Sequence, residues 1–167
     1  MYLDSDEVIE NSESLKNKIS TFQQNEKIKA VISSGYKNPP GYGFINHYIN
    51  EYGDPFSFFI YRQSKDASYF IKELKGSYPK VSENNQNIVF DFSNIRPLPI
   101  MELVAMGSIL DLKYLRENFP DLNKNKYLIP HFFYLLTLNK CLVAINKNDT
   151  LLHYSSENLQ RFLKKIA

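Results

Sequence analysis

Between residues 5 and 24 the apolar positions recur at helical spacing. Val8, Leu15, Ile19 and Phe22 approximate one face, with Ile9 beside it, while Ser12, Lys16, Lys18 and Gln23 fall mostly elsewhere. The pattern predicts an amphipathic helix capped by Asp4 or Ser5, with acids following in its first turn. Residues 27–33 alternate Ile28, Ala30 and Ile32, which suits a strand or a helix. Pro39-Pro40-Gly41 marks the loop from Gly35 to Gly43. A short helix is expected over Phe44–Tyr52, with Phe44, Tyr48 and Tyr52 four residues apart and Gly53 as its stop. Phe56–Gln63 reads as an aromatic strand, and Ser64 or Asp66 opens a helix through Leu74.

The second half alternates in the same way. Gly76–Gln86 is polar and reads as loop, and Asn87–Phe92 as a strand with Ile88, Phe90 and Phe92 on one side. After the rigid connector Arg96-Pro97-Leu98-Pro99, helices are expected over Ile100–Ile109 and Asp111–Asn118, with Gly107 admissible inside one continuous helix. Phe132–Leu138 and Cys141–Ile145 are apolar runs split by Asn139-Lys140, the signal of a tight hairpin. Lys147-Asn148-Asp149 provides another turn, and Thr150–Tyr154 a third strand. Ser155 caps a terminal helix carrying Leu159, Phe162, Leu163 and Ile166 on one face. The expected fold class is therefore α+β: a single domain over residues 1–167, with an antiparallel sheet and flanking helices.

Composition adds one unusual feature. The chain has 12 Tyr, 12 Phe and no Trp. Nine of these rings fall between Tyr36 and Tyr61, interrupted by two glycine- and proline-rich turns. Phe44, Tyr48, Phe56, Phe58 and Phe59 are expected to build core. Tyr36, Tyr42 and Tyr52 are the better surface candidates, because tyrosine tolerates a wet end.

Charge is banded. Residues 1–26 carry six acids and two bases, 27–80 eight bases and four acids, 81–122 three bases and six acids, and 123–167 seven bases and two acids. The bands sum to a net charge of +2, which does not call for nucleic acid. Tyr36, Lys37, Tyr42, Arg62, Lys65 and Tyr69 mix rings with bases as stacking sites do, but Glu51, Asp54, Asp66 and Glu73 dilute them. Nucleic-acid recognition signatures are absent from the sequence.

Little catalytic chemistry is suggested. His47, His131 and His153 match no zinc motif, so neither metal nor other cofactor is expected. Cys141, the single cysteine, sits in an apolar run where a buried thiol is the usual outcome. Convergence of Cys141 with His131 and His153 in the expected meander, or a site using Asp91, is the enzymatic alternative. Gly41-Tyr42-Gly43 is half of a phosphate loop and reads better as a turn. One cysteine excludes an intramolecular disulfide. The acidic segment from Met1 to Asn11 lacks a signal-peptide pattern, and Tyr127–Ile145 is too broken by polar residues to span a membrane. A cytoplasmic location without membrane contact follows as the expectation.

The segment Cys141-Leu142-Val143-Ala144-Ile145-Asn146, a polar turn, Leu151-Leu152-His153-Tyr154, and Ser156 to Leu163 resembles the ending of SUKH (SMI1/KNR4-like) bacterial immunity proteins, over about a fifth of the chain. The resemblance implies a partner protein that neutralises a cognate toxin in the bacterial cytoplasm. The rings Tyr36, Tyr42 and Tyr52 are the expected anchors of that contact, with Glu51 and Asp54 suited to a basic toxin.

Overall fold

A computed structural model describes residues 1–53, 63–93, 106–123 and 129–166. Three apolar runs build its centre. They form strands β2 (Ile28–Ile32), β5 (Asn87–Asp91) and β7 (Leu142–Asn146). All five residues of β7 are buried, as a strand covered on both faces requires. The five-stranded sheet also takes in β4 (Lys80–Glu83) and β6 (Ile109–Leu110), in the order β4-β5-β7-β2-β6. β2 and β7 are parallel and the remaining pairs antiparallel. The α+β class holds, with a mixed sheet in place of a purely antiparallel one.

One sheet face buries Ala30, Ile32, Ile88, Phe90, Val143 and Ile145. Packed in the same cluster are Phe70 and Leu74 of α3 (Phe70–Ser77), Leu115 of α4 (Leu112–Asn118), and Phe133 and Leu136 of α5 (Ile129–Leu138). The other face buries Val31, Val89, Leu142 and Ala144, with Phe22 of α1 (Ser14–Gln24) against them. A second, smaller sheet orders β1 (Glu7–Ile9), β8 (Leu151–His153) and β3 (Tyr36–Lys37) as β1-β8-β3. Against it stand α2 (Phe44–Tyr52) and the terminal α6 (Leu159–Ile166).

Several expectations are corrected. The helix over 5–24 is instead β1 followed by α1, because pairing of Glu7–Ile9 with β8 overrides local helical period. The expected apolar face of α1 turns inward only at Phe22. Ser14, Lys18 and Thr21 point inward, while Leu15 and Ile19 are 46% and 48% exposed. Phe132–Leu138 is helical, not a strand: Phe133 and Leu136 are buried while Tyr134 and Leu138 are exposed, three to four residues to the turn. Asn139-Lys140 closes that helix and does not join a hairpin. Lys140 has φ +56°, its N–H donates to Thr137 O at 3.1 Å, and the Cys141 N–H donates to Leu136 O at 3.0 Å. The expected three-stranded meander is therefore absent, and β7 and β8 lie in different sheets.

Gly107 lies in a turn at φ +54°, not inside a helix. The polar segment 76–86 contains β4, a wholly exposed edge strand. The expected strand at Phe56–Gln63 lies outside the described residues except for Gln63, and the expected helix from Ile100 lies outside them up to residue 105. The Arg96–Pro99 connector and the rings Phe56, Phe58 and Phe59 also lie outside them. The expected α2 is present, and the Gly53 N–H donates to Ile49 O at 2.7 Å to close it. Asp111 caps α4 by accepting the Tyr114 N–H at 2.9 Å, as its position ahead of Leu112 suggests.

Candidate interaction surface

α2 is docked by polar atoms. Its inward residues are Asn46 and Asn50, both fully buried. Asn46 Nδ2 donates to Asn38 Oδ1 and to His153 O, each at 2.7 Å. Its Oδ1 accepts the N–H groups of Ser155 at 2.9 Å and Ser156 at 3.0 Å. One amide thus fills its hydrogen-bonding capacity while tying α2 to β8 and to the chain entering α6. Asn50 Oδ1 meets His153 Nδ1 at 2.6 Å, and Asn50 O accepts the Lys65 N–H at 3.2 Å. Asn158 opens α6 by accepting the Arg161 N–H at 3.0 Å.

With Asn46 and Asn50 turned in, α2 leaves Tyr48 and Tyr52 half-buried and Phe44 in solvent. Phe44 is 74% exposed. Its ring centroid lies 6.2 Å from that of Tyr48, and Tyr48 lies 5.0 Å from Tyr52 and 6.3 Å from Phe162 on α6. Leu159 and Leu163 of α6 are exposed large apolar side chains. Tyr42 meets Tyr154 edge to face at 5.3 Å, and its hydroxyl donates to Glu157 Oε1 at 3.3 Å. The result is a ridge of rings and leucines over two helices, rimmed by Glu51, Glu157 and Arg161. A hydrogen bond to Glu51, followed by its charge, raises the Tyr52 hydroxyl above the ordinary tyrosine range.

The expected anchors divide. Tyr36 is 7% exposed and cannot serve as a surface contact. Its hydroxyl donates to the buried Glu7 carboxylate, and its ring stacks on His153 at 4.3 Å. Burial and the Glu7 charge push the Tyr36 hydroxyl well above its usual value. Tyr42, Tyr52 and Glu51 are half-buried members of the ridge or its rim. Asp54 lies outside the described residues. Phe44 is corrected from core to surface. The apolar face of α6 leaves Leu159 and Leu163 exposed, which its sequence does not announce. Phe162, Leu159 and Leu163 are legible as one face of a capped helix, but not which neighbours leave that face uncovered.

The enzymatic candidates do not assemble. His153 belongs to the small sheet, with its Nε2 3.6 Å from Asp6 Oδ2. His131 lies on α5 near Tyr134, with ring centroids 6.2 Å apart. Asp91 Oδ1 accepts the Ser93 N–H at 2.8 Å. Cys141 lies beside Tyr114, and burial pushes its thiol above the ordinary range, which disfavours the thiolate a nucleophile needs. Among the described residues, no group of three or more His, Cys, Asp or Glu side chains can hold a metal ion, and no helix is long and apolar enough to cross a membrane.

Beside α2 opens a polar cleft of about 790 Å³, lined by Tyr36, Lys37, His47, Asp66, Lys147 and Thr150 among others. His47 Nδ1 lies 3.6 Å from Asp66 Oδ2, and its Nε2 lies 3.8 Å from Glu51 Oε2. No protein-family model matches the chain, and no match is found among curated proteins or solved structures.

Proposed function

We propose that this protein is a protein-binding module that neutralises a cognate bacterial toxin by direct contact. The observation that carries the reading is the ridge formed by Phe44, Tyr48, Tyr52 and Phe162 with Leu159 and Leu163. An exposed ring such as Phe44, flanked by half-buried ones, is costly to leave in water and effective when a partner covers it, because a planar ring gives large contact area for little lost conformational freedom. A contiguous apolar patch rimmed by charges is the usual form of a protein-interaction site. The toxin partner and the cytoplasmic setting come from the likeness of residues 141–163 to immunity proteins.

Co-expression tests the reading. A toxic protein encoded in the neighbouring reading frame should lose its toxicity when this protein is made in the same cell. Protection should be lost with Phe44→Ala/Leu163→Ala. Unchanged toxicity beside the folded wild-type protein contradicts the proposal.

A further inference from the structure

The acids and bases lining the cleft beside α2 are not all paired in the same way. Apart from His47, the charged side chains lining it are Glu10, Lys37, Asp66 and Lys147. Three of them are committed. Lys37 Nζ meets Glu10 Oε2 at 2.8 Å, and the same carboxylate accepts the Thr150 hydroxyl. Lys147 Nζ lies 2.7 Å from Glu83 Oε1 and donates to Asn84 O at 2.7 Å. Asp66 differs. Its side chain is only 6% exposed. Its Oδ1 accepts the Ser68 N–H at 2.8 Å, while its Oδ2 faces His47 Nδ1 at 3.6 Å, too far for a hydrogen bond.

The backbone holds this carboxylate firmly. The Tyr36 N–H donates to Lys65 O at 2.7 Å and the Ala67 N–H to Tyr36 O at 2.8 Å, so residues 65–67 are strapped to β3 on both sides of Asp66. A nearly buried acid in the wall of a cleft, on a rigid support and with one oxygen that faces only the His47 ring beyond hydrogen-bond distance, is preorganised for a cation.

We propose that Asp66 is the seat of a subsite that accepts the guanidinium of an arginine on the bound protein. Guanidinium suits the walls better than a compact ammonium. It carries five donors, and Asn11, Ser68 and Asn148 offer further side-chain oxygens around the cleft. Its flat, weakly hydrated faces also tolerate Ala67 and Ile71. His47 lines the cleft and stands on α2, so a partner lying across the ridge reaches the subsite with one protruding side chain. This inference rests on the protein-binding reading for the source of the arginine.

The test uses N-acetylarginine amide and its neutral isostere N-acetylcitrulline amide, titrated into the full chain and followed by amide NMR shifts. The arginine compound should give saturable shifts centred on residues 66–68 and His47, and citrulline should not. Asp66→Asn, which keeps the acceptor for the Ser68 N–H, should weaken the arginine response at least about tenfold, the scale of one charge-assisted hydrogen bond. Equal responses to the two compounds, no saturable shift at residues 66–68, or an unchanged titration in Asp66→Asn overturns the subsite. If the variant does not fold, the arginine–citrulline contrast on the wild-type chain decides alone. A negative result here leaves the ridge untouched, because Phe44 and Leu163 are tested separately.

Discussion

Lys18 and Asp149 form an ion pair inside the protein, with side chains 0% and 2% exposed. The Lys18 ammonium also donates to Ser14 Oγ at 2.7 Å and Ser33 Oγ at 2.9 Å, so its three protons are all used. Burial pulls the ammonium below the ordinary lysine range, and the Asp149 carboxylate opposes that pull. The pair pins α1 to the turn between β7 and β8. Replacing one member leaves the other buried without its counter-charge. Lys18→Met should therefore destabilise the fold by about 3–5 kcal/mol, measured by chemical denaturation. The double variant Lys18→Met/Asp149→Leu should recover most of that loss, since well-packed apolar replacements of buried pairs are often neutral. A single variant as stable as wild type contradicts the pairing.

That pair also shows what is legible in the sequence. The periodicity of residues 5–24 announces a helix, which the structure keeps only over Ser14–Gln24, and which side turns inward depends on a carboxylate 131 residues away. Leu15 and Ile19 mark an apolar side whether or not anything covers it. The strands β5 and β7 are readable because strands buried on both faces are near-continuous apolar runs, while the alternation of Ile28, Ala30 and Ile32 leaves β2 open between strand and helix. The helix expected over Asp111–Asn118 and the Gly53 stop are readable because they rest on local chemistry. The run Phe132–Leu138 is not, since a short apolar stretch has no period that separates strand from helix. Phe44 is misplaced for a related reason. The inward contacts of α2 are made by Asn46 and Asn50, so the helix docks through polar side chains and leaves Phe44 outside.

Glu7 sits opposite His153 in the β1–β8 register, beneath the Tyr36 hydroxyl. Burial raises its carboxyl above the ordinary glutamate value of 4.5, against the lowering effect of the hydrogen bond from Tyr36. A folded-state value above the unfolded one gives stability that is full below the unfolded value and lost as pH rises through the raised one. Glu7→Gln cannot ionise, so it removes this loss. Denaturation of both proteins from about pH 4 to about pH 7 should show the variant gaining stability relative to wild type as pH rises. A difference independent of pH contradicts the assignment.

Gly35 has φ +123°, and a Cβ there would meet Ala67 Cα at 2.8 Å and Lys65 O at 2.9 Å. Those are backbone atoms of the segment that carries Asp66, and they have little room to move. Gly35→Ala should cost at least about 2 kcal/mol, from clash plus unfavourable dihedral. Gly41 has φ +82°, and a Cβ there would have nothing within 4 Å, so Gly41→Ala should cost only about 1 kcal/mol for the dihedral. Thermal melts of the two variants should separate in that order. Equal losses would show that the close approach at Gly35 does not constrain the fold.

The proposal that the ridge on α2 and α6 grips a toxin is tested most directly by calorimetric titration of a toxic protein encoded in the neighbouring reading frame. Phe44 and Leu163 are exposed, so Phe44→Ala and Leu163→Ala leave the fold intact while removing contact area. The wild-type chain should bind with submicromolar affinity, and each substitution should weaken binding by at least about tenfold, as truncation of an interface anchor does. No heat of association with wild type, or affinities unchanged in both variants, would contradict the account.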